Sequence, residues 1–469
     1  MLTESSRPRT SSDMLDVAAW IGRNAYTGSR PRPLTGCDGR TVALVAQPNR
    51  LVQHKAVVLA RNVGAELRKI DDATWFGYFH RAADIVDREL SAGRVTPVAR
   101  AISATTGLPQ LRVERGIAAV AHHLRRIEDI MSVQAPQGDL AAYRTGRVDA
   151  PWAWLPAGRT CMVRVPGNFP TIQIEWLQTL AARRPTLINT SERDPFTAGV
   201  FVSALYEAGL PDGALSMCHG DVPTWLNLAD QIVWPGEHAP SMEPSRLKTY
   251  HFGRSKAVLL DDHPDPRTWD RLARLAFQGS GRLCTNVSAL AVTGDAEAAA
   301  AQLARAFNAY PVLPLDARAA RVPAFPDREL LRALVREIER EIAGGAVDVT
   351  ARDCDVPLLV EIGDSAFLRP TVLLTDAGSP LFRTELPFPF TAVARVDRAR
   401  LDEACAHSLI VSVIGDHPEV VELLAQEPTI TKVFADDAFD RGYDPVDPQE
   451  GYLSDFLFQK KALLPRRTA

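Results

Sequence analysis

Residues 276–292 read AFQGSGRLCTNVSALAV. A helix-like run leads into Gly279-Ser280-Gly281, then Cys284, then the strand-like apolar run 287–292. Helix, glycine loop and buried strand in succession are one unit of an α/β sheet. By itself Cys284 reads as one more small buried hydrophobe, as most free cysteines are. Its neighbours point to chemistry instead. Gly279 and Gly281 permit close backbone approach. Thr285 and Asn286 supply polar side chains and, with Cys284, backbone N–H donors that suit an oxyanion.

Working outward, the same alternation recurs. CMVRV (161–165), TLIN (186–189), ALSMC (214–218), DQIVW (230–234) and KAVLL (256–260) read as short buried strands. A helix is expected around Ile172–Ala182. Another opens at Asp194-Pro195, an acid at the cap and a proline in the first turn, and ends at Gly209 and Pro211. A second α/β unit follows, with helices near 266–277, 295–308 and 327–343 and strands near 287–292, 370–374 and 391–395. A possible last strand is KKALLP (460–465). Before all of this, residues 52–130 are helical in pattern. WFGYFHRAADIVDREL (75–90) puts Phe76, Phe79, Ala83 and Val86 on one face. Such alternation predicts parallel sheets with right-handed crossovers and ligands at the carboxyl ends of the strands.

The chain of 469 residues has room for two or three domains, and 46% hydrophobic against 23% charged residues is ordinary globular composition. Lys plus Arg number 53 and Asp plus Glu 57, a net charge of −4, which gives no overall pull toward nucleic acid or a membrane surface. The six cysteines (Cys37, Cys161, Cys218, Cys284, Cys354 and Cys405) form no CxxC pair, so neither a zinc site nor a disulfide framework is expected. The start, MLTESSRPRTSSD, lacks the apolar core of a signal peptide, and no apolar run approaches a membrane span. A cytoplasmic protein is the expectation. The cluster Asp261, Asp262, His263 and Asp265 reads as a solvated loop after a strand rather than a metal site, since no second ligand cluster accompanies it. GxGxxG, Walker and GxSxG motifs are absent.

FQGSGRLC (277–284) resembles the F-x-x-x-G-Q-x-C segment of the aldehyde dehydrogenase superfamily, and further segments resemble it in the family's order. VPGNFP (165–170) is similar to P-W-N-F-P, whose asparagine helps hold the substrate oxyanion; Asn168 takes that place. LINTSERDPFTAG (187–199) resembles V-x-K-P-S-E-x-T-P, EAGLPDG (207–213) the E-A-G-x-P-x-G segment, and DQIVWPG (230–236) D-x-V-x-F-T-G. FLRPTVLL (367–374), ELPFPF (385–390) and FLFQKKALL (456–464) continue the series, so the resemblance covers roughly residues 70–465.

The resemblance implies an aldehyde dehydrogenase-like α/β fold in two α/β domains. Residues 1–137 and 161–250 would form the nucleotide-binding domain and 251–425 the catalytic domain. Residues 138–160 and 426–469 would supply a small oligomerisation element and tail, in a homodimer or homotetramer. It implies NAD or NADP as cofactor and Cys284 as a nucleophile that carries the acyl group as a thioester. Cofactor contacts are implied at Asn189 (where the family has a ribose-binding lysine), Glu192, Trp234, Gly236, Glu237, Glu385 and Phe388. A carboxylate at Glu192 would repel a 2′-phosphate and so favours NAD. Anchoring on Phe388 puts Leu386 at the family's glutamate, one residue from Glu385.

The departures carry most about function. TYHFGRSKAVLL (249–260) puts Tyr250 where hydrolytic members have their general-base glutamate, with His251 beside it as a candidate substitute. Without that carboxylate, water is poorly activated, whereas exchange with a thiol needs little help. The link from Gly236 to Gly253 is short and carries Pro240 and Pro244, as in acyl-CoA or acyl-protein reductases, which have a W-G-G-E segment followed by E-F-G-P-K. The expected function is therefore reduction of an acyl thioester of coenzyme A or a carrier protein. The alternatives are oxidation of an aldehyde to an acid, and a binding protein that keeps the fold without turnover.

Overall fold

A computed structural model describes residues 14–28, 30–146, 152–236, 239–250, 254–260, 264–435 and 443–462. Of the expected site residues, Glu237 and His251 lie outside these, as do Asp261, Asp262 and His263. The chain divides into two compact units. The first draws on Met1–Thr105, Glu114–His251 and Gly451–Ala469, the second on Thr106–Val113 and Phe252–Glu450. The stretch 426–450, which the sequence grouped with a tail, thus falls in the second unit.

The first unit is built on a seven-stranded sheet. Its order is Leu247–Tyr250, Gln231–Pro235, Cys161–Val165, Thr186–Thr190, Leu215–His219, Ala19–Ile21 and Asn24–Tyr26. The first five strands are mutually parallel, and the last two are antiparallel. Four of the five are those read from sequence, within a residue or two, because continuous apolar runs suit a sheet covered on both faces. Leu247–Tyr250 is not among them, and the fifth expected strand, KAVLL (256–260), forms as Ser255–Leu259 in the sheet of the second unit. The chain runs outward from Cys161–Val165 through Thr186–Thr190 to Leu215–His219, then returns to the other side of Cys161–Val165 with Gln231–Pro235. That reversal is the topological switch point of a doubly wound sheet.

Helices Arg50–Leu67 and Asp72–Ser91 pack in this unit. Asn49 Oδ1 accepts from the amides of Leu51 and Val52 at 3.0 and 3.1 Å, and Asp71 caps the second helix through the Thr74 amide. Phe76, Phe79, Ala83 and Val86 form the buried face, as their spacing predicts. Indole N–H groups tie helices to the layers beneath: Trp75 donates to the Ala181 carbonyl and Trp225 to that of Gln53, both at 2.9 Å. One boundary differs from expectation. The helix expected to open at Asp194-Pro195 begins at Thr197. Asp194 still ends the preceding turn, its Oδ1 accepting from the Phe196 and Thr197 amides.

The terminal strand forms as Phe458–Ala462, antiparallel to Trp152–Pro156. Trp154 stacks on Phe458 at 4.0 Å, and Tyr143 meets Phe458 edge-on at 5.5 Å.

The second unit holds another seven-stranded sheet, ordered Val347–Asp348, Thr371–Leu374, Phe390–Arg395, Val287–Val292, Ser255–Leu259, Ile410–Ile414 and Lys432–Ala435. Only its first strand is antiparallel. Helices Arg267–Ala276, Ala296–Asn308 and Arg328–Ala343 agree with the sequence reading, the last two capped by Asp295 and Asp327. Among the described residues no helix is long and apolar enough to cross a membrane.

Phe79 is fully buried beside Trp75, their rings 5.8 Å apart. Phe79→Ala is expected to destabilise the first unit by about 3–5 kcal/mol, read as a lower urea midpoint.

Candidate active site

Parallel strands bring their carboxyl ends to one edge, and most of the expected site residues of the first unit collect there. Tyr250 ends its strand, and the register pairs it with Pro235. Trp234 is the penultimate residue of Gln231–Pro235, and Gly236 follows that strand. Asn168 lies three residues past the end of Cys161–Val165, half-buried, and Glu192 two past Thr186–Thr190, exposed.

Asn189 has a different part from the direct cofactor contact expected of it. It is 1% exposed, and its Nδ2 donates to the Gly220 carbonyl at 2.9 Å. Its Oδ1 accepts from Arg164 Nη1 at 2.6 Å, and Arg164 also donates to the Thr190 carbonyl. Arg164 was not singled out from the sequence. The register sets it directly opposite Asn189, and its guanidinium lies over the Trp234 ring at 5.8 Å. Burial pushes its pKa down, and Glu192 pulls it back up. A cation on the neighbouring strand, Arg164, thus stands against Asn189. The signal was legible only as an arginine inside an otherwise apolar strand.

These residues fit a nucleotide. Gly236 has φ +111°, and a Cβ built on it meets nothing within 4 Å, so backbone stands open at the carboxyl edge. A held guanidinium, an aromatic face and an open glycine at a switch point form a suitable cradle for a ribose and its phosphates.

The position of the missing base is also informative. Tyr250 Oη donates to Glu175 Oε2 at 2.8 Å. Glu175 belongs to the helix Ile174–Ala181 and is 8% exposed. Where the resemblance implies a carboxylate on this strand stands Tyr250, bonded to a carboxylate from the helix.

In the second unit, Cys284 sits three residues before Val287–Val292. It is at the amino end of that strand, not at the carboxyl edge where the general rule places ligands. The loop before it is unusual. Gly279, Ser280 and Gly281 all have left-handed φ, at 51°, 61° and 78°. A Cβ on Gly281 would stand 2.2 Å from the Phe388 carbonyl carbon and 2.3 Å from the Pro389 nitrogen. Only glycine permits that approach. Arg282 then clamps three carbonyls, those of Thr106, Ala324 and Pro387, at 2.5, 2.8 and 3.3 Å. Asn286 Nδ2 closes the loop on the Gln278 carbonyl at 3.0 Å, and Ser255 Oγ donates to the Cys284 carbonyl at 2.8 Å.

Two expectations are corrected here. The Asn286 amide donates to the Leu283 carbonyl, so it is not an oxyanion donor. Phe388 is 1% exposed, with its ring among Phe325 and Phe390, and serves the core rather than a cofactor surface. Glu385 is half-buried, while Leu386 is 5% exposed and belongs to the core.

Burial separates the cysteines. Cys161, Cys218 and Cys405 are fully enclosed, and burial pushes their thiols up, to about 12, well above 9 and to about 11. Such thiols stay protonated and inert. Cys284 is half-buried, as are Cys37 and Cys354, but among these three it alone follows an immobilised glycine loop. Among the described residues no group of His, Cys, Asp or Glu could hold a metal.

No protein-family model matches the chain. The chain is 26% identical over 308 residues to the probable methylmalonate-semialdehyde/malonate-semialdehyde dehydrogenase (acylating), mitochondrial, of Drosophila melanogaster. That match covers 61% of this chain and 57% of the fly protein, so the chain spans less than two thirds of that relative. Among solved structures it is similar to the NAD+ complex of an aldehyde dehydrogenase from Bacillus cereus, with a TM-score of 0.78 and 14% identity over 96% of each chain. It is also similar to succinate-semialdehyde dehydrogenase from Burkholderia pseudomallei, with a TM-score of 0.77 and 17% identity over 99% of each. The structural likeness establishes the aldehyde dehydrogenase-like fold expected from the sequence.

Gly281→Ala is expected to cost about 2–4 kcal/mol through its left-handed backbone and the Phe388–Pro389 contact. A lower melting temperature and altered alkylation of Cys284 by iodoacetamide would report it.

Proposed function

We propose that this chain is an NAD(P)-dependent oxidoreductase of the aldehyde dehydrogenase superfamily that reduces an acyl thioester to an aldehyde. The observation that carries it is a half-buried cysteine on an immobilised loop, in a chain with tyrosine where hydrolytic members keep their base. The Cys284 thiolate attacks the acyl carbonyl, a new C–S bond forms, and the carrier leaves as a free thiol. Asn168 and the Cys284 backbone N–H hold the oxyanion. When bound, NAD(P)H supplies the hydride. Cys284 then leaves as a thiolate as the aldehyde is released. Arg164, held by Asn189, would steady the cofactor's ribose and phosphates with Trp234 and Gly236, and Glu192 favours NAD. Coenzyme A and a carrier-protein arm both suit this chemistry. The paired strands 152–156 and 458–462 are the proposed oligomerisation element of a dimer or tetramer, and a cytoplasmic location is part of the same proposal.

Glu175 favours a second reading. A carboxylate against Tyr250 would serve as general base for water, and the product would then be a carboxylic acid from an aldehyde.

Incubation of the protein with an acyl thioester should add one acyl mass to Cys284 and, with NADH or NADPH, release aldehyde; Cys284→Ala should do neither. Rapid formation of free acid from aldehyde and NAD, with no thiol acceptor, would sink the reductase reading. Glu175→Gln separates the two routes: acid formation should fall at least about 100-fold if Glu175 is the base, whereas aldehyde release should change by less than about threefold. For the cofactor, Arg164→Leu is expected to raise the KM for NADH or NADPH about tenfold with a smaller change in kcat, measured by steady-state kinetics.

A further inference from the structure

The second unit contains a cavity of about 280 Å³ whose charged lining is four arginines, Arg112, Arg271, Arg274 and Arg321, with no aspartate or glutamate among the described lining residues. In a chain of net charge −4 this clustering is not a background property. Arg271 and Arg274 share a face of the helix Arg267–Ala276 at i, i+3. Arg112 Nη2 donates to the Phe277 carbonyl at 3.4 Å, which orients its guanidinium at the cavity. Arg274 and Arg321 enter no ion pair among the described residues. One wall is aromatic: the Tyr310 and Phe277 rings lie 4.3 Å apart at 32°. Like charges gathered at one cavity repel, and an anion shared among them relieves that repulsion.

We propose that this cavity binds an oxyanion group, phosphate or carboxylate, carried by the substrate of Cys284; the link to Cys284 rests on the function proposed above. Planar guanidinium forks match such groups in bidentate fashion. The volume is below the roughly 300–1,000 Å³ of sites that enclose whole small molecules, so it suits one charged group of a longer substrate. It is linked to the loop that carries Cys284 through the chain itself. Gln278 lines the cavity, and its carbonyl accepts from Asn286, two residues past Cys284. An anion here would anchor a substrate whose reacting carbonyl lies further along the same loop. Two sources supply that chemistry: a phosphorylated thiol carrier, or an acyl chain ending in a carboxylate.

The test uses the full chain and its Arg274→Ala/Arg321→Ala variant, with Arg274→Ala alone as the milder form should the double variant not fold. Binding of inorganic phosphate is followed by 31P line broadening, and kinetics are run on matched substrate pairs. One pair is an acyl group on coenzyme A against the same group on N-acetylcysteamine; the other is a carboxylated aldehyde against a neutral one of equal length. The variant should weaken phosphate binding. It should also raise the KM for one anionic member about tenfold more than for its uncharged counterpart. The pair that shows the difference identifies the source. Equal phosphate binding by both proteins, or equal KM changes within both pairs, overturns the site. Phosphate binding needs no turnover, so a protein that binds phosphate but never acylates Cys284 would refute the proposed reaction and leave the site standing.

Discussion

The contact that admits no side chain, Gly281 beneath the Phe388–Pro389 backbone, governs everything built around Cys284. Three successive left-handed residues turn the chain away from the helix Arg267–Ala276, and one of them, Ser280, is a buried non-glycine. A non-glycine residue persists in that region only when its surroundings over-determine it. Here they do. The backbone of 388–389 presses on the loop from one side, and Arg282 gathers carbonyls from three separate segments on another. The position of Cys284 is thus a property of the whole second unit rather than of the peptide that carries it.

The first sheet holds its polar groups by pairing them across elements. Register sets Arg164 against Asn189, and the two side chains hydrogen-bond. Tyr250 on the edge strand bonds Glu175, which comes from a helix. Both pairings satisfy the buried polar groups of Asn189 and Glu175, which would be costly without partners.

Charge and burial together sort the reactive groups. Three thiols lie so deep that the thiolate is inaccessible to them, which leaves the loop cysteine as the chemically sensible one. The arginines show the complementary case. Arg164 is engaged by neighbouring acceptors, whereas four arginines line one cavity near Phe277 with no carboxylate among its described lining residues. Groups of like sign brought together by a fold are the arrangement an oppositely charged ligand would relieve.

Strands, helices and their caps were readable because they follow local periodicity. Period-3.6 spacing marked the buried face of Phe76, Phe79, Ala83 and Val86, and apolar runs marked the parallel strands. The shifted start at Thr197 and the placement of 426–450 were not, since both depend on what the segment packs against. Cys284, Asn168 and Tyr250 stood out by their place in ordered motifs. Arg164, Glu175 and the arginine cavity did not, because hydrogen-bond register and packing bring together residues that chain order keeps apart. The sequence by itself determined the α/β class and the order of most elements, carried by short-range pattern, and it singled out Cys284 as the candidate nucleophile. Only the tertiary structure decided which thiols are buried, which polar groups hold one another and where charge accumulates, since burial and long-range contact exist only once the chain has folded.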